Sequence, residues 1–374
     1  MIDGLALRHV NPIVTPTLHR LRAEATTIAP ALSVLTSSPT PNITTFATGV
    51  DPTGHAVFAE KVMSDGGVVG ATQSVRRLPS LFDACAMADR SAAWSGDVQL
   101  GRFLGAVPAN GVSTDADAAQ HAAAAFDCGV ELIALQLVTP DVAGRMHHAD
   151  SDEAKSAYHA TDHIISALYN SCMPNWGRTI FIAVSSHDQI GTCGRSPVEL
   201  RPLVDRLANA SGTVPSIAVQ GDAAVLHWDD TSRFAADFSP FDEVPGVEGR
   251  LRAAPGVHII WAPRGQAFCL DGSPDTPPAS IHGGPYTRAQ VAIVSGGHPF
   301  AAAMQRSLGR RAVRASDWAP TIADALGVAL PTATGVSLIE PAAMPRPAQR
   351  VGLVHRQVQV LRLARSGIRA RGSW

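Results

Sequence analysis

The sequence predicts an α/β fold with a doubly wound, mostly parallel central sheet flanked by helices and with a small inserted or cap region. Apolar runs of strand length recur along the chain. Thr179 to Val184 (TIFIAV) is nearly continuous and rich in β-branched residues, which is typical of a buried parallel strand. Stretches with helical spacing separate these runs, as in Ala154 to Leu168. Strands that alternate with helices favour a doubly wound sheet.

Elements of the first half follow from local signals. Thr15-Pro16 begins a helix, because threonine caps a helix start and proline fits the first turn. Ser80 caps a second helix. Leu100 to Val107 and Glu131 to Val138 are apolar runs of strand length, and an alanine-rich helix, His121 to Phe126, precedes the second.

Elements of the second half continue the alternation. Val257 to Ala262 is a short apolar run, and Ala289 to Gly296 is read as another strand. Ser316 to Gly327 is a capped helix that ends at its glycine. Apolar residues between positions 351 and 363 form either one more strand or one more helix.

Composition divides the chain into three parts. Residues 1–193 and 281–340 carry the regular alternation and form the predicted α/β core. Residues 194–280 are less regular and Pro-rich, so we expect an inserted or cap-like subdomain there. Residues 341–374 form a basic C-terminal extension.

Overall composition and charge are those of an ordinary soluble globular protein. The 374 residues are 45% hydrophobic and 17% charged, with a net charge of −2, which argues against nucleic acid or an anionic membrane as a partner. No apolar run approaches the ~18 residues of a membrane span, and no secretory signal pattern opens the chain. The five scattered cysteines lack a Cys-x-x-Cys pair, which suits reduced thiols. We therefore expect a cytoplasmic location.

A hydroxyl-rich turn, Leu35 to Ser38, leads into Pro39-Thr40-Pro41-Asn42 and a helix-like segment that ends at Thr48-Gly49. A helix start can present side-chain oxygens and free backbone N–H groups to an anion. The stretch resembles the nucleophile loop of the alkaline phosphatase superfamily, in its type I phosphodiesterase/nucleotide pyrophosphatase branch. This resemblance implies an alkaline-phosphatase-like fold and a metal-assisted hydrolase of phosphodiesters, phosphomonoesters or related anionic esters.

The nucleophile position departs from the family pattern. In the family a threonine two residues before the proline of Pro-Asn attacks phosphorus, and that position here holds Pro39. A loop one residue shorter than usual makes Thr40 the nucleophile, with Ser38 next. The resemblance gives Asn42 the role of donating a hydrogen bond to the developing oxyanion. The alternative is that these hydroxyls only cap a helix.

Asp3 is the first of the candidate metal ligands. Carboxylates at the C-terminal ends of parallel strands point into the crevice where such folds bind ligands. In the family, Asp-Gly closes the first buried strand, of which only Met1 and Ile2 are present here. We expect the true start to lie upstream, because an unfilled slot in a parallel sheet leaves two neighbours with unpaired backbone groups.

The segment Thr139 to His148 resembles the family's Asp-x-x-Gly-His loop, in which the aspartate and histidine bind one metal ion. Asp141 is the aspartate, and Arg145 stands at the histidine position. Arginine stays protonated and cannot ligate a cation, but it can hold a phosphate or carboxylate bidentately. His147 or His148 either replaces the ligand after a loop shift or belongs to the surface.

Two later motifs supply histidines. Ser186-His187-Asp188 resembles part of the family's Ser-Asp-His-Gly, so His187 is expected to bind metal, while Ser186 replaces the aspartate and removes a charged oxygen. Asp188 could compensate from the next position, although its side chain is expected to point elsewhere. His282, followed by two glycines, resembles the family's late His-Gly, and His298 is a weaker candidate.

The resemblance implies a small anionic substrate and a divalent metal such as zinc, at one site or none rather than two. We expect the candidate residues to meet in one cleft at the C-terminal edge of the sheet. The predicted catalytic residues are Thr40, Asn42 and Arg145, and the predicted metal ligands are Asp3, Asp141, His187 and His282. The competing hypothesis is a non-hydrolytic or metal-independent protein on the same fold, either an acid–base enzyme or an inactive binder. The sequence argues against a Rossmann dehydrogenase, because no Gly-x-Gly-x-x-Gly follows a strand.

Overall fold

The computed structural model describes residues 1–24, 31–64, 67–109, 111–228, 244–270 and 277–339. Its helices are α1 Pro16–Glu24, α2 Pro39–Thr48, α3 Pro52–His55, α4 Leu81–Met87, α5 Val98–Phe103, α6 Asp115–Asp127, α7 Thr139–His147, α8 Asp152–Cys172, α9 Arg201–Ser211, α10 Pro299–Leu308 and α11 Trp318–Leu326. Its strands are β1 Ala31–Leu32, β2 Lys61–Ser64, β3 Gly67–Gly70, β4 Ala92–Ser95, β5 Leu132–Leu135, β6 Phe181–Val184, β7 Ile190–Gly191, β8 Val198–Glu199, β9 Ser216–Gln220, β10 Ala223–His227, β11 Gly249–Ala254, β12 Val257–Trp261, β13 Phe268–Cys269, β14 Ser280–Ile281, β15 Ala289–Gln290, β16 Ala292–Ser295 and β17 Val313–Arg314. The predicted basic extension, 341–374, with its apolar positions 351–363, lies outside the described residues.

Two short ladders and the first residues of the chain build the centre of the fold. Strand β4 pairs with β5 in parallel, and β6 pairs with β16 antiparallel. Ile2 joins the two ladders through parallel bridges to Leu137 and Ser185, which follow β5 and β6. The N–H of Asp3 donates to the carbonyl of Leu137 at 2.9 Å, so Asp3 lies at the edge where the parallel strands end. The α/β class is confirmed, whereas one doubly wound parallel sheet stays a prediction.

Helices cover both faces of this centre. The side chains of a strand alternate between faces, and β16 shows both environments. Val294 packs in a cluster with Met304 of α10 and Trp318 of α11. Its neighbour Ile293 packs in a second cluster with Leu18 of α1 and residues of α8. In the part of the chain that the structure describes, no helix has the length and apolar character to cross a bilayer.

The predicted insert contains a fold of its own. Strands β9 to β12 form a four-stranded antiparallel sheet in the order β11-β12-β10-β9. Helix α9 packs against it through Leu203 and Leu207, which share a buried cluster with Leu226 and Ile260. The boundaries of the insert, 194–280, stay a prediction.

Most sequence-predicted elements are confirmed, and one is wrong. The run from Leu100 to Val107 was expected to be a strand, but it begins inside helix α5 and continues into a turn. Asp97 caps this helix, because its carboxylate accepts the N–H of Leu100 at 2.6 Å. Leu100, Phe103 and Leu104 are all buried, and their spacing of three and four residues places them on one helical face. The strand prediction used only the apolar content of the run and overlooked this helical spacing.

Helix α1 takes its N-terminal cap from another helix. The backbone N–H groups of Thr17 and Leu18 donate to the carboxylate of Asp162 at 2.8 and 2.9 Å. Thr15, the cap expected from sequence, instead donates its hydroxyl to the carbonyl of His9 at 2.7 Å. Asp162 is buried in α8, so the carboxylate both satisfies two helix-start donors and fixes α1 against α8.

We expect Asp162→Ala to lower the free energy of unfolding by about 1–3 kcal/mol, because two buried N–H groups lose their acceptor. Denaturant unfolding measures the change. Asn170→Ala, at an exposed position of the same helix, should stay within about 0.5 kcal/mol of the wild type. Equal stability of Asp162→Ala and the wild type would contradict this capping role.

Candidate active site

The first turn of one helix and the residues that follow two strands bring Asp141, His187 and His282 together. Asp141 lies in the first turn of α7, His187 follows β6, and His282 follows β14. One ligand atom from each residue lies within 4.8 Å of the other two. Asp141 Oδ1 is 3.8 Å from His187 Nε2 and 3.6 Å from His282 Nε2. The structure therefore joins three of the four predicted metal ligands in one cluster, which we call the Asp/His/His cluster.

Both histidines point the same nitrogen into the cluster. His187 Nδ1 lies 2.9 Å from the carbonyl of Asp188, and His282 Nδ1 lies 3.1 Å from the carbonyl of Ser37. A carbonyl only accepts, so Nδ1 of each ring carries a hydrogen, which leaves Nε2 as the nitrogen that faces the cluster. The rings stack with centroids 4.0 Å apart. Burial, and then the neighbouring His187, lower the pKa of His282 to about 3, so His282 is neutral near pH 7.

Asp141 is the ionised member of the cluster. It is 5% exposed. Burial by itself raises the pKa of Asp141, but His282, His187 and Arg145 outweigh it and hold the pKa below its usual range. Arg145 Nε pairs with Oδ2 at 2.9 Å, and Gln189 Nε2 donates to Oδ1 at 2.5 Å. The Arg145 side chain stays half-exposed beside the cluster.

The cluster fits a single divalent cation. Two neutral imidazole nitrogens and one carboxylate oxygen are ligands that zinc uses in proteins. His187 Nε2 is buried and has no hydrogen-bond partner among the described residues. Buried polar atoms of this kind are rare in folded proteins, and a bound cation would satisfy this one. The carbonyls that orient both rings resemble the supporting contacts of metal-bound histidines.

Asp3 lies beside the cluster with its carboxylate held by neutral donors. Ser186 Oγ donates to Oδ1 at 2.6 Å, and Gln136 Nε2 donates to Oδ2 at 2.7 Å. Burial raises the pKa of Asp3, against the opposing effects of His187 and of these hydrogen bonds. Ser186, which stands where the family has an aspartate, thus serves as a donor to Asp3. A metal-binding role for Asp3 stays a prediction.

The substitutes considered for missing ligands lie elsewhere. The Asp188 side chain points away from the cluster, as expected, and forms an ion pair with Arg8, at 2.8 and 3.1 Å from one guanidinium nitrogen. His148 Nδ1 accepts a backbone N–H two residues further on, and His298 caps α10 in the same way. None of these residues, nor the exposed His147, belongs to the Asp/His/His cluster.

The start of helix α2 differs from the anion site expected there. Pro39 and Pro41 have no backbone N–H, and the N–H of Thr40 donates to Glu60 Oε1 at 2.9 Å. The hydroxyl of Thr40 donates to the other oxygen of the same carboxylate. Glu60 therefore occupies the donors that the helix start presents, and a substrate anion cannot use the N–H of Thr40 at the same time.

Glu60 is a candidate functional residue that sequence reasoning missed. It follows Phe58-Ala59 in an irregular segment and carries no motif, so only its contact with Thr40 reveals it. Burial raises the pKa of Glu60, against the opposing effect of the Thr40 hydrogen bonds, and the charges of Asp3 and His187 also act on it. Glu60 therefore shares the electrostatic environment of the Asp/His/His cluster.

Asn42 shapes the loop that carries these groups. Its Oδ1 accepts the N–H of Val34 at 2.9 Å, and its Nδ2 donates to the carbonyl of Ser38 at 2.9 Å. Asn42 is fully buried. These contacts hold the turn whose Ser37 carbonyl orients His282. The expected role of Asn42 as an oxyanion donor stays a prediction.

Comparisons with known proteins place the fold. No protein-family model and no curated protein sequence matches the chain. Human ectonucleotide pyrophosphatase/phosphodiesterase 5 is similar at a TM-score of 0.68 and 15% identity, over 88% of this chain and 94% of that one. An inactive variant of the murine protein in complex with AMP gives 0.67 and 15%, with the same coverage. Phosphonoacetate hydrolase from Sinorhizobium meliloti 1021, in complex with phosphonoacetate, gives 0.62 and 16% over 78% and 88%. The chain therefore shares its fold with these structures, in agreement with the alkaline-phosphatase-like fold that the sequence motifs predicted.

Proposed function

We propose that this chain is a hydrolase that cleaves a phosphoester or related anionic ester of a small molecule with the help of one divalent cation. The observation that carries the proposal is the Asp/His/His cluster, in which two imidazole nitrogens and an ionised carboxylate converge. Fold neighbours named as a phosphodiesterase and a phosphonoacetate hydrolase support the substrate class. When bound, a divalent cation acts as a Lewis acid that neutralises charge on the attacked phosphoryl group.

Arg145 is proposed to hold the substrate anion at the rim of the site. Its Nε is engaged by Asp141, and its half-exposed side chain leaves guanidinium surface that faces solvent beside the cluster. A guanidinium presents several donors in a planar fork that matches phosphate oxygens. This role accounts for an arginine at the position where the family motif has a metal-binding histidine.

Thr40 and Glu60 are proposed to act as nucleophile and proton acceptor. The Thr40 hydroxyl already donates to the Glu60 carboxylate. As the Oγ1–phosphorus bond forms and the bond to the leaving oxygen breaks, the hydroxyl proton passes to Glu60. When water later attacks phosphorus and the Oγ1–phosphorus bond breaks, the protonated Glu60 can return its proton to Thr40 Oγ1. The Glu60 carboxylate would thus activate the Thr40 hydroxyl, a task that a second metal ion shares in the two-metal site of the family.

The proposal is tested with protein purified without added metal salts. We expect close to one equivalent of a divalent metal, together with turnover of a small activated phosphodiester that a chelator abolishes and added zinc restores. A phosphonate and a phosphomonoester in parallel assays define the substrate class. Chelator-resistant turnover, or no metal binding at all, would overturn the metal-assisted hydrolase and favour the metal-independent alternative.

Scattered cysteines, free in the structure, support the proposed cytoplasmic location.

A further inference from the structure

Gln189 is a fully buried residue whose side-chain amide holds the carboxylate of the Asp/His/His cluster. Its Nε2 donates to Oδ1 of Asp141 at 2.5 Å and to the backbone carbonyl of the same residue at 2.9 Å. An ionised carboxylate only accepts hydrogen bonds, so the amide nitrogen, rather than the amide oxygen, must face Asp141. Oδ1 is also the oxygen that lies 3.8 Å from His187 Nε2 and 3.6 Å from His282 Nε2. Gln189 therefore contacts the very oxygen that faces both imidazoles.

The backbone of Gln189 is fixed by charged neighbours. Its carbonyl accepts a hydrogen bond from Nη2 of Arg8 at 2.8 Å. Its N–H donates to Oδ1 of Asp188 at 2.5 Å, and Asp188 is itself paired with Arg8. The amide thus reaches Asp141 from a backbone that is tied on both sides.

Two motif glycines leave room for the Gln189 side chain. Gly4 directly follows Asp3, and Gly144 lies three residues after Asp141. A Cβ added at Gly4 would lie 2.5 Å from Nε2 of Gln189, and a Cβ added at Gly144 would overlap Oε1. Glycine permits such a close approach because it has no side chain. The two glycines therefore form the slot in which the amide lies.

The other end of the amide gains nothing from its surroundings. Oε1 of Gln189 is buried and has no hydrogen-bond partner among the described residues. A buried polar atom without a partner destabilises the folded state, and an apolar side chain of similar length would avoid that cost. Stability alone therefore does not account for a glutamine at this position, whereas a task for its Nε2 group does.

Arg145 competes for the same carboxylate. It lies four residues after Asp141 on α7, and its Nε pairs with Oδ2 at 2.9 Å. A guanidinium can bind both oxygens of a carboxylate at once. If Asp141 gave both oxygens to Arg145, Oδ1 would no longer face the imidazoles. Gln189 holds Oδ1 while Arg145 holds Oδ2, so the two residues divide the carboxylate between them.

We propose that Gln189 is a positioning residue that keeps Oδ1 of Asp141 directed at His187 and His282 for metal binding, against the attraction of Arg145. Gln189 acts through Asp141 and does not itself ligate the metal. The inference rests on the proposed metal site. It explains how an arginine can stand beside the ligand carboxylate without drawing it out of the cluster.

The test is a calorimetric titration of chelator-treated protein with zinc. Gln189→Met keeps the length of the side chain and removes the donor, so zinc affinity should fall by about 10–100-fold. The melting temperature of the metal-free variant should stay close to that of the wild type, because the change also removes the unpartnered Oε1. Gln136→Met is the matched control. Gln136 is also buried, but its Nε2 donates to Asp3, so this variant should bind zinc as the wild type does.

Two further variants separate positioning from a merely structural role. In an Arg145→Ala background the competitor is gone, so Gln189→Met should lower zinc affinity much less than it does in the wild type. Gly144→Ala displaces the amide without changing Gln189 and should lower zinc affinity as Gln189→Met does. The double variant of these two positions should lose no more affinity than either single variant.

The outcomes distinguish this inference from the proposed function. Zinc binding that is equal in the wild type and in Gln189→Met would overturn the positioning role and leave the metal site in place. An equal loss of affinity with and without Arg145 would likewise overturn it. Absence of zinc binding by the wild type would overturn the proposed metal site, and the role of Gln189 with it.

Discussion

Replacing Thr40 with alanine should lower kcat/KM for an activated phosphodiester by about a hundredfold or more, the loss expected for a group that acts in the transition state. Thr40 has the hydroxyl whose proton already faces a carboxylate. Steady-state kinetics and intact-protein mass spectrometry after rapid quenching measure the effect. The wild type should show a covalent species in which Thr40 carries the phosphoryl group with its remaining ester group, and the variant should lack it.

Ser38→Ala is the matched control and should keep near wild-type turnover. Ser38 Oγ lies 3.4 Å from Thr36 Oγ1, and no hydrogen bond joins it to a carboxylate of the residues that the structure describes. Loss of turnover in Ser38→Ala, with retention in Thr40→Ala, would assign the nucleophile to Ser38 instead. Equal activity of both variants and the wild type would refute a hydroxyl nucleophile in this loop.

Glu60→Gln separates proton acceptance from support of the loop. Glutamine can still accept a hydrogen bond from the Thr40 N–H, but it cannot take the proton of the Thr40 hydroxyl. Glu60 must be ionised to act, and burial raises its pKa above the ordinary 4.5. Wild-type kcat/KM should therefore rise with pH on an acid limb above pH 4.5. Glu60→Gln should lose both that limb and most of the rate. An unchanged profile would make Glu60 a structural residue only.

Replacing His187 with alanine should lower zinc affinity by about a hundredfold or more. The variant removes one of the three proposed metal ligands. Loss of a residue that only hydrogen-bonds to a ligand already lowers metal affinity by about 10–100-fold. Asp141→Asn should have a similar effect, because it removes the ionised carboxylate next to both imidazoles. Calorimetric titration of chelator-treated protein with zinc measures affinity and stoichiometry independently of turnover.

Asp3→Asn and Arg145→Ala are the controls for the metal site. Asp3→Asn should keep a stoichiometry of one, because Asp3 is bound by Ser186 and Gln136 rather than in the cluster. Arg145→Ala should keep zinc and raise KM for the anionic substrate. Suppose that Arg145→Ala and His187→Ala both abolish an activity that chelation leaves intact. The histidine and arginine would then act without metal, and the competing acid–base hypothesis would replace the hydrolase.

Sequence motifs found the residues of the Asp/His/His cluster better than they found the contacts of Thr40, the proposed nucleophile. Asp141 and His187 each follow a clear apolar strand, and strands that end at a common edge must bring such residues close. The chemistry at the start of α2 was harder to predict, because it depends on which group accepts the hydrogen bonds of Thr40. Glu60, twenty residues from Thr40, has no local signal for that contact.

The sequence by itself determined the α/β class, most strand and helix positions, the superfamily fold and three residues of the Asp/His/His cluster. These depend on local periodicity and on the order of motifs, which short-range chemistry sets. Only the tertiary structure decided that Asp162 caps α1, that Ser186 and Gln136 hold Asp3, and that Glu60 takes the Thr40 hydroxyl. Each of these contacts joins groups that are distant in the sequence, and such hydrogen bonds depend on distances and directions that packing alone establishes.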